Sequence, residues 1–155
     1  MTLENNLDPR LSVNFCGLDF ATPLVLLSGC VGFGEEYTRI QGFTNRQAGA
    51  VCLKGTTLAP RLGNAPHRIC ETPGGMINAI GLQNPGVDRV IQDILPTLDF
   101  GETRFIANVS GSTVEEYYEV TRRFDDSPID AIEINISCPN VKEGGVAFGN
   151  DARMS

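Results

Sequence analysis

Histidine is almost absent from this chain: His67 is the only one in 155 residues. A Ser-His-Asp triad or a Cys-His pair would have to be built on it. It sits in "GNAPHRIC", a turn-rich stretch without periodicity that reads as a solvated loop. The five cysteines, Cys16, Cys30, Cys52, Cys70 and Cys138, include no C-x-x-C pair. Their odd number and wide spacing exclude a local zinc or iron–sulfur motif and argue against a disulfide framework, so no metal site is expected. No apolar run approaches the length that crosses a bilayer. "MTLENNLDPR" lacks the basic and then apolar layout of a secretory signal. Basic residues are outnumbered 12 to 19, for a net charge of −7. That balance argues against a nucleic-acid groove or an anionic membrane surface. Internal repeats, low-complexity tracts and linkers are missing too. The expectation is a cytoplasmic, core-forming protein with neither nucleic acid nor membrane as partner.

Glycine, by contrast, is abundant, with 17 residues gathered around the apolar runs, as tight turns near a ligand require. The pattern along the chain is one of alternation. "LSVNFCGLDF" (11–20) predicts a short hairpin turning at Gly17. "PLVLLSG" (23–29) and "AVCLKG" (50–55) predict buried strands, with a helix over 35–49 between them that Gly42 weakens. A long Pro- and Gly-rich excursion follows. "VDRVIQDILPTL" (87–98) carries Val87, Val90, Ile91, Ile94 and Leu95 at the spacing of one helical face. "RFIANVSG" (104–111) predicts a third strand. "TVEEYYEVTRRF" (113–124) predicts a helix capped by Ser112 or Thr113, with Glu115 and Glu116 in its first turn. "DAIEINIS" (130–137) predicts a fourth strand.

Nearly continuous apolar strands, each followed by a helix or a long connection, predict a parallel α/β arrangement. "SGCVGFGEE" only approximates G-x-G-x-x-G, so a dinucleotide-binding open sheet is weakly supported. The strand ends carry Ser28, Lys54, Asn108, and then Asn135 with Cys138. Polar or reactive side chains at one rim favour a (β/α)8 barrel, where catalytic groups sit at the C-terminal ends of strands. A complete barrel takes about 250 residues, and this chain supplies four strands of the eight.

Lys54 follows "AVCL" directly, so its cation either snorkels to water or meets an anionic ligand or an electron-rich ring. "PGGMINAIGLQNPG" (73–86) exposes backbone N–H groups, with Asn78 and Asn84 adding amides. It reads either as an anion-binding concavity or as a connecting hairpin. Asn108, Asn135 and Asn140 offer paired donors and acceptors that match a cyclic imide or a flavin pyrimidine edge, though asparagine is also common at turns. Cys138, between Ser137 and Pro139, is either a structural thiol or a base beside a flavin-like ligand.

Taken in order, "LLSGCVGFGEEY", "LKGTTLAPRLGN", "ETPGGMINAIGLQNPG", "ANVSGS" and "EINISCPNVKEGG…FG" resemble the N-terminal half of class 1 dihydroorotate dehydrogenases. The resemblance spans essentially residues 11–149 and is strongest to the class 1B catalytic subunit; "SCPN" with cysteine is the soluble-class version, where the membrane-associated class places serine. It implies that residues 1–155 are the N-terminal half of a single FMN-binding TIM-barrel domain, roughly the first four βα units after an N-terminal hairpin. The implied reaction is oxidation of dihydroorotate to orotate in pyrimidine biosynthesis. Cys138 would remove the C5 proton, and hydride would leave C6 for the flavin. Lys54, Asn78, Asn135 and Asn140 would face the substrate or hold its loop, and the backbone of Ile80, Gly81 and Leu82 would receive its carboxylate. Ser28, Gly29, Lys54, Gly55, Asn108 and Asn135 would line the FMN.

The class 1B resemblance further implies a homodimer, and a heterotetramer with a partner subunit that carries FAD and a 2Fe-2S cluster and passes electrons to NAD. A class 1A enzyme would use fumarate instead. Without the remaining strands the 155-residue chain is expected to be inactive and to lose FMN. A flavin barrel of the dihydropyrimidine dehydrogenase type and a non-catalytic half-barrel are the alternative readings.

Overall fold

Two residues turn the chain first. Cys16 (φ 52°) and Gly17 (φ 81°) both occupy the left-handed region, which a two-residue hairpin needs to match the twist of its strands. They join β1 (Val13–Phe15) to β2 (Leu18–Phe20), antiparallel with Val13 opposite Phe20, as the sequence predicts. The computed structural model describes residues 8–138, 145–153 and 155.

The chain then runs into β3 (Val25–Leu26), β4 (Ala50–Cys52), the antiparallel hairpin β5 (Ile69–Thr72) and β6 (Gly75–Asn78), β7 (Arg104–Val109) and β8 (Ala131–Ile134). β3, β4, β7 and β8 form one parallel sheet in that spatial order. The parallel α/β arrangement is therefore present, with β3 and β8 at its two edges.

Two expectations need correction. The helix over 35–49 does not form. Two single 3-10 turns stand there, Tyr37–Arg39 and Asn45–Gln47, because Gly42 in mid-segment takes φ of 88° and Ile40 before it is already extended, which an α-helix cannot accommodate. The strand over 23–29 shrinks to Val25–Leu26, and Leu24 and Leu27 are exposed. Its one strand neighbour among the described residues is β4, so only the side facing β4 is organised by a ladder.

The 87–98 segment is helical, in three pieces that we call α1: Val87–Arg89 as α-helix, Val90–Ile94 as a π turn and Leu95–Thr97 as 3-10. Pro96 has no N–H to return to the helix, and the tail tightens around it. The expected apolar face holds: Val87, Val90 and Leu95 are buried, with Ile91 and Ile94 packed beside them. α2 (Val114–Asp125) is capped by Thr113, whose Oγ1 accepts from the Glu116 N–H at 3.2 Å, while Glu116 accepts from the Ser112 N–H at 2.7 Å. Tyr117, Val120 and Phe124 form its buried stripe. The last helical element among the described residues is a short turn, α3 (Val146–Gly149).

Strand alternation sorts the sheet into two faces. Val51, Leu53, Phe105, Ala107 and Val109 join the buried stripes of α1 and α2 in one core. Cys52, Lys54, Asn108, Glu133 and Asn135 belong to the opposite face, and they build the site. Among the described residues no helix is long and apolar enough to cross a membrane.

Candidate functional site

At the C-terminal ends of the parallel strands lies a cavity of about 580 Å³. Ser28, Gly29, Lys54, Gly55, Asn78, Ile80, Gly81, Leu82, Asn108, Asn135 and Cys138 all line it. The structure thus gathers these nominated residues, while Asn84, also nominated, is not among the lining residues; Asn140 lies outside the described residues. His67 is exposed and is not among the residues lining the cavity.

Each contributor is held by its element. The Lys54 N–H donates to the Gly32 carbonyl at 2.7 Å, and the Thr56 N–H donates to the Asn108 carbonyl at 2.9 Å. The first ties the end of β4 to the turn at Gly32 and the second continues the β4–β7 pairing, and together they fix the direction in which Lys54 leaves the sheet. Among the described residues its ammonium has no hydrogen-bonding or ion-pair partner, so it stands ready for an anion or a polar ring edge.

The segment 78–82 approaches from the β5–β6 hairpin. Gly81 and Leu82 take φ of 77° and 56°, and the bend is pinned on both sides. Asn64 donates from its amide to the Ala79 carbonyl at 2.9 Å, and its N–H donates to the Ile80 carbonyl at 3.0 Å. A β-carbon on Gly81 would come within 2.6 Å of Asn64 Oδ1, so glycine is required for space as well as for φ. Asn84 departs from the expectation that it adds an amide to the anion site. It is buried, donating to the Leu82 carbonyl at 2.7 Å and to Thr57 Oγ1 at 2.9 Å, and accepting from the N–H groups of Gly86 and Thr57 at 2.9 and 3.2 Å. Its role is to hold the bend. Among the described residues the N–H groups of Ile80, Gly81 and Leu82 have no acceptor, which leaves three adjacent donors at the cavity wall.

The floor of the site is a polar chain. Glu133, unforeseen from sequence, accepts from Asn108 Nδ2 and, at 3.2 Å, from the Cys52 thiol on the same oxygen, Oε1. Asn108 Oδ1 accepts from Asn135 Nδ2 at 3.1 Å, and Asn135 Oδ1 accepts from the Ser137 N–H at 3.2 Å. Burial and then the neighbouring Glu133 carboxylate push the Cys52 thiol up to about 12, so it stays protonated and donates. The signal for Glu133 was present in "EIN": an acidic residue two positions before Asn135 shares its face.

Tyr117 of α2 donates its hydroxyl to the Asn135 carbonyl at 2.6 Å and accepts from the Gly145 N–H at 3.3 Å. Cys138 lines the cavity half-buried. Among the described residues no group of three His, Cys, Asp or Glu side chains is arranged to hold a metal ion.

Chemically, the cavity presents the Lys54 cation, several neutral amides, three backbone donors and the Cys138 thiol, with the Glu133 carboxylate engaged at its floor by Asn108 and Cys52. That set suits a planar, uncharged heterocycle with a carboxylate attached, and it suits the polar edge of a flavin ring.

Comparison with known proteins bears on the same residues. The sequence model of the family described as dihydroorotate dehydrogenase matches residues 10–155. The chain is 52% identical over 141 residues to the dihydroorotate dehydrogenase B (NAD(+)) catalytic subunit of Geobacillus kaustophilus, covering 90% of this chain and 44% of that protein. It is 48% identical over 147 residues to the catalytic subunit of the same name from Listeria welshimeri, covering 94% and 48%. The chain thus spans under half the length of these curated relatives. Among solved structures it resembles the DHODH of Eimeria tenella in complex with ferulenol, with TM-score 0.67 and 29% identity over 90% of this chain and 40% of that one. With the family match running through every strand of the site, the chain belongs to the dihydroorotate dehydrogenase family, on the side of the class 1B catalytic subunits.

Proposed function

We propose that this chain supplies the first half of the catalytic barrel of an FMN-dependent enzyme that oxidises dihydroorotate to orotate. The observation that carries the reading is the convergence of Lys54, the free N–H groups of 80–82, Asn135 and Cys138 on one cavity. In this reading the three N–H groups receive the substrate carboxylate, and Lys54 adds a positive charge beside it. Asn78 and Asn135 bond the ring amides, with Asn140 completing the set. Cys138 Sγ, as thiolate, takes the proton from C5. The electron pair of that C–H bond becomes the C5=C6 double bond as hydride departs from C6. FMN, when bound, supplies the hydride acceptor.

The fit for FMN rests on the donor set: Asn108 and Asn135 keep one N–H each beyond their bonds to Glu133 and Asn108, and Gly29, where a β-carbon would meet nothing within 4 Å, leaves the wall bare for a ring to lie against, with Gly55 beside it offering backbone only. Ser28 and Lys54 complete that side. In the whole protein we expect a closed (β/α)8 barrel, a cytoplasmic homodimer and a partner subunit carrying FAD and a 2Fe-2S cluster that delivers electrons to NAD. The name of the matched relatives, a NAD(+) enzyme's catalytic subunit, supports the last point. The 155 residues alone are expected to be inactive.

The test is anaerobic addition of dihydroorotate, and separately of dihydrouracil, to the polypeptide carrying these residues, reading the visible flavin band. Bleaching by dihydroorotate alone is the expected result. In the full-length polypeptide that carries these residues, a band that dihydrouracil bleaches instead, or no uptake of FMN, overturns the reading; a colourless 155-residue chain does not.

A further inference from the structure

Glu133 lies on the site face of β8 and reaches two strands in one step. Its partner Asn108 is directly opposite it in register on β7, but Cys52 is on β4, beyond β7. A flat sheet would separate β4 from β8 by about 9.6 Å, two strand spacings. The contact at 3.2 Å therefore uses the length of the glutamate side chain to close across the strand between.

The direction of the bonds matters more than their number. A carboxylate only accepts, so Asn108 must turn its NH2 toward Glu133. Its Oδ1 then faces Asn135, which must offer its own NH2 in turn. That leaves Asn135 Oδ1 facing the Ser137 N–H, one residue before Cys138. An asparagine amide has no intrinsic preference between its two orientations; a fixed acceptor at one end of the chain chooses for both. The Cys52 thiol, buried and protonated, gives that acceptor a second donor and holds it in place.

We propose that Glu133 is a positioning residue that sets the polarity of the amide chain Asn108–Asn135–Ser137 and thereby holds the strand end that presents Cys138. Its relevance to catalysis rests on the dehydrogenase reading, but the positioning itself does not. The group it steers is the backbone beside a half-buried thiol, so its loss frees that thiol.

The polarity claim gives a specific rescue. Asn108→Asp alone sets two carboxylates against each other. With Glu133→Gln added, the new amide at position 133 can donate to the new carboxylate at position 108. That carboxylate still accepts from Asn135, and the chain beyond position 108 is restored. A residue that merely fills space predicts no such rescue.

The experiment is the alkylation rate of Cys138, read by peptide mapping on the ligand-free native polypeptide, for the wild type, Glu133→Leu, Asn108→Asp and the double variant Glu133→Gln/Asn108→Asp. We expect the two single variants to react about tenfold faster, the effect of losing a hydrogen bond to a charged group, and the double variant to return to within about threefold of the wild type. A double variant as fast as Asn108→Asp overturns the proposal, as do single variants that melt normally and react at the wild-type rate. If a single variant does not fold, the double variant still decides. The assay needs no flavin. A full-length polypeptide that takes up no FMN but shows the rescue sinks the dehydrogenase reading and leaves the positioning role standing.

Discussion

The Oδ1 atom of Asn108 lies 2.8 Å from the point that a β-carbon on Gly55 would occupy. The two residues sit at the ends of neighbouring strand paths, and the amide fills the space that glycine leaves. Leu82 Cδ2 and Ser110 Oγ stand close by, at 3.2 and 3.3 Å from the same point. An amide at the end of a side chain usually swings aside, but this one is bonded to Glu133 and to Asn135 at once. Gly55→Ala is therefore expected to cost about 1–3 kcal/mol of stability, the range for inserting a methyl into a filled site. Urea denaturation measures it, and a variant as stable as the wild type would show that Asn108 is free to move.

Asn84 is buried and holds the bend with hydrogen bonds to Thr57, Leu82 and Gly86. Truncation to alanine leaves the N–H groups of Thr57 and Gly86 and the Leu82 carbonyl without their partner in a buried place. Asn84→Ala should cost about 2–4 kcal/mol, the sum of two or more unsatisfied groups. Asn64→Ala, at an exposed residue with one side-chain bond to the bend, should cost about 1 kcal/mol. Equal losses in the two variants would contradict the assignment of Asn84 as the hub.

How much of this was legible beforehand depended on whether the signal was local. The hairpin over 11–20, the strands over 50–55 and 104–111 and the capped helix over 113–124 are written in turn residues, apolar runs and a Thr–Glu cap, and they form as read. The rim residues were legible because each ends a strand. The 35–49 segment was not, since the φ of Gly42 decides it and composition only hints at that. Leu24 and Leu27 read as core, yet their exposure follows from sheet position, which no local pattern carries. Glu133 was missed, and Asn84 was given another role, for one reason. Their partners, Cys52 and Thr57, are remote in sequence, and only the folded chain brings them together.

Acid should weaken α2 in a defined window. Glu119 is bonded to Arg122 and Arg123 at 2.9 and 2.8 Å, and these guanidiniums, Arg122 first, hold its carboxyl down at about 2 against an ordinary 4.5. A depressed folded value means that the unfolded chain takes up the proton first. The contribution is whole above 4.5 and is lost as pH falls through about 2. Arg122 is exposed and Glu119 and Arg123 are half-buried but reached by solvent, so salt should shrink the effect. Melting temperatures on acidification should fall less steeply for Glu119→Gln than for the wild type in low salt, and the two curves should converge in high salt.

Alkali acts on the opposite side of the molecule and with the opposite sign. Cys52 is buried at 1% exposure, and its thiol is pushed from 9.0 up to about 12 by burial first and by Glu133 second. The folded protein keeps a proton that the unfolded chain releases, so stability is untouched below 9.0 and falls as pH rises from there toward about 12. Each pH unit in that window costs at most about 1.4 kcal/mol. Other groups titrate in the same range, and the quantity to measure is the difference in slope between the wild type and Cys52→Ala, whatever that variant does to absolute stability. A shallower alkaline slope for Cys52→Ala is expected. Thiol labelling checks the same point independently. Cys16, Cys30 and Cys70 are exposed and should react at once, while Cys52 should react only as the protein unfolds. Prompt labelling of Cys52 at neutral pH would mean that the floor of the site opens without unfolding, and the alkaline slope would then have to be assigned to another group.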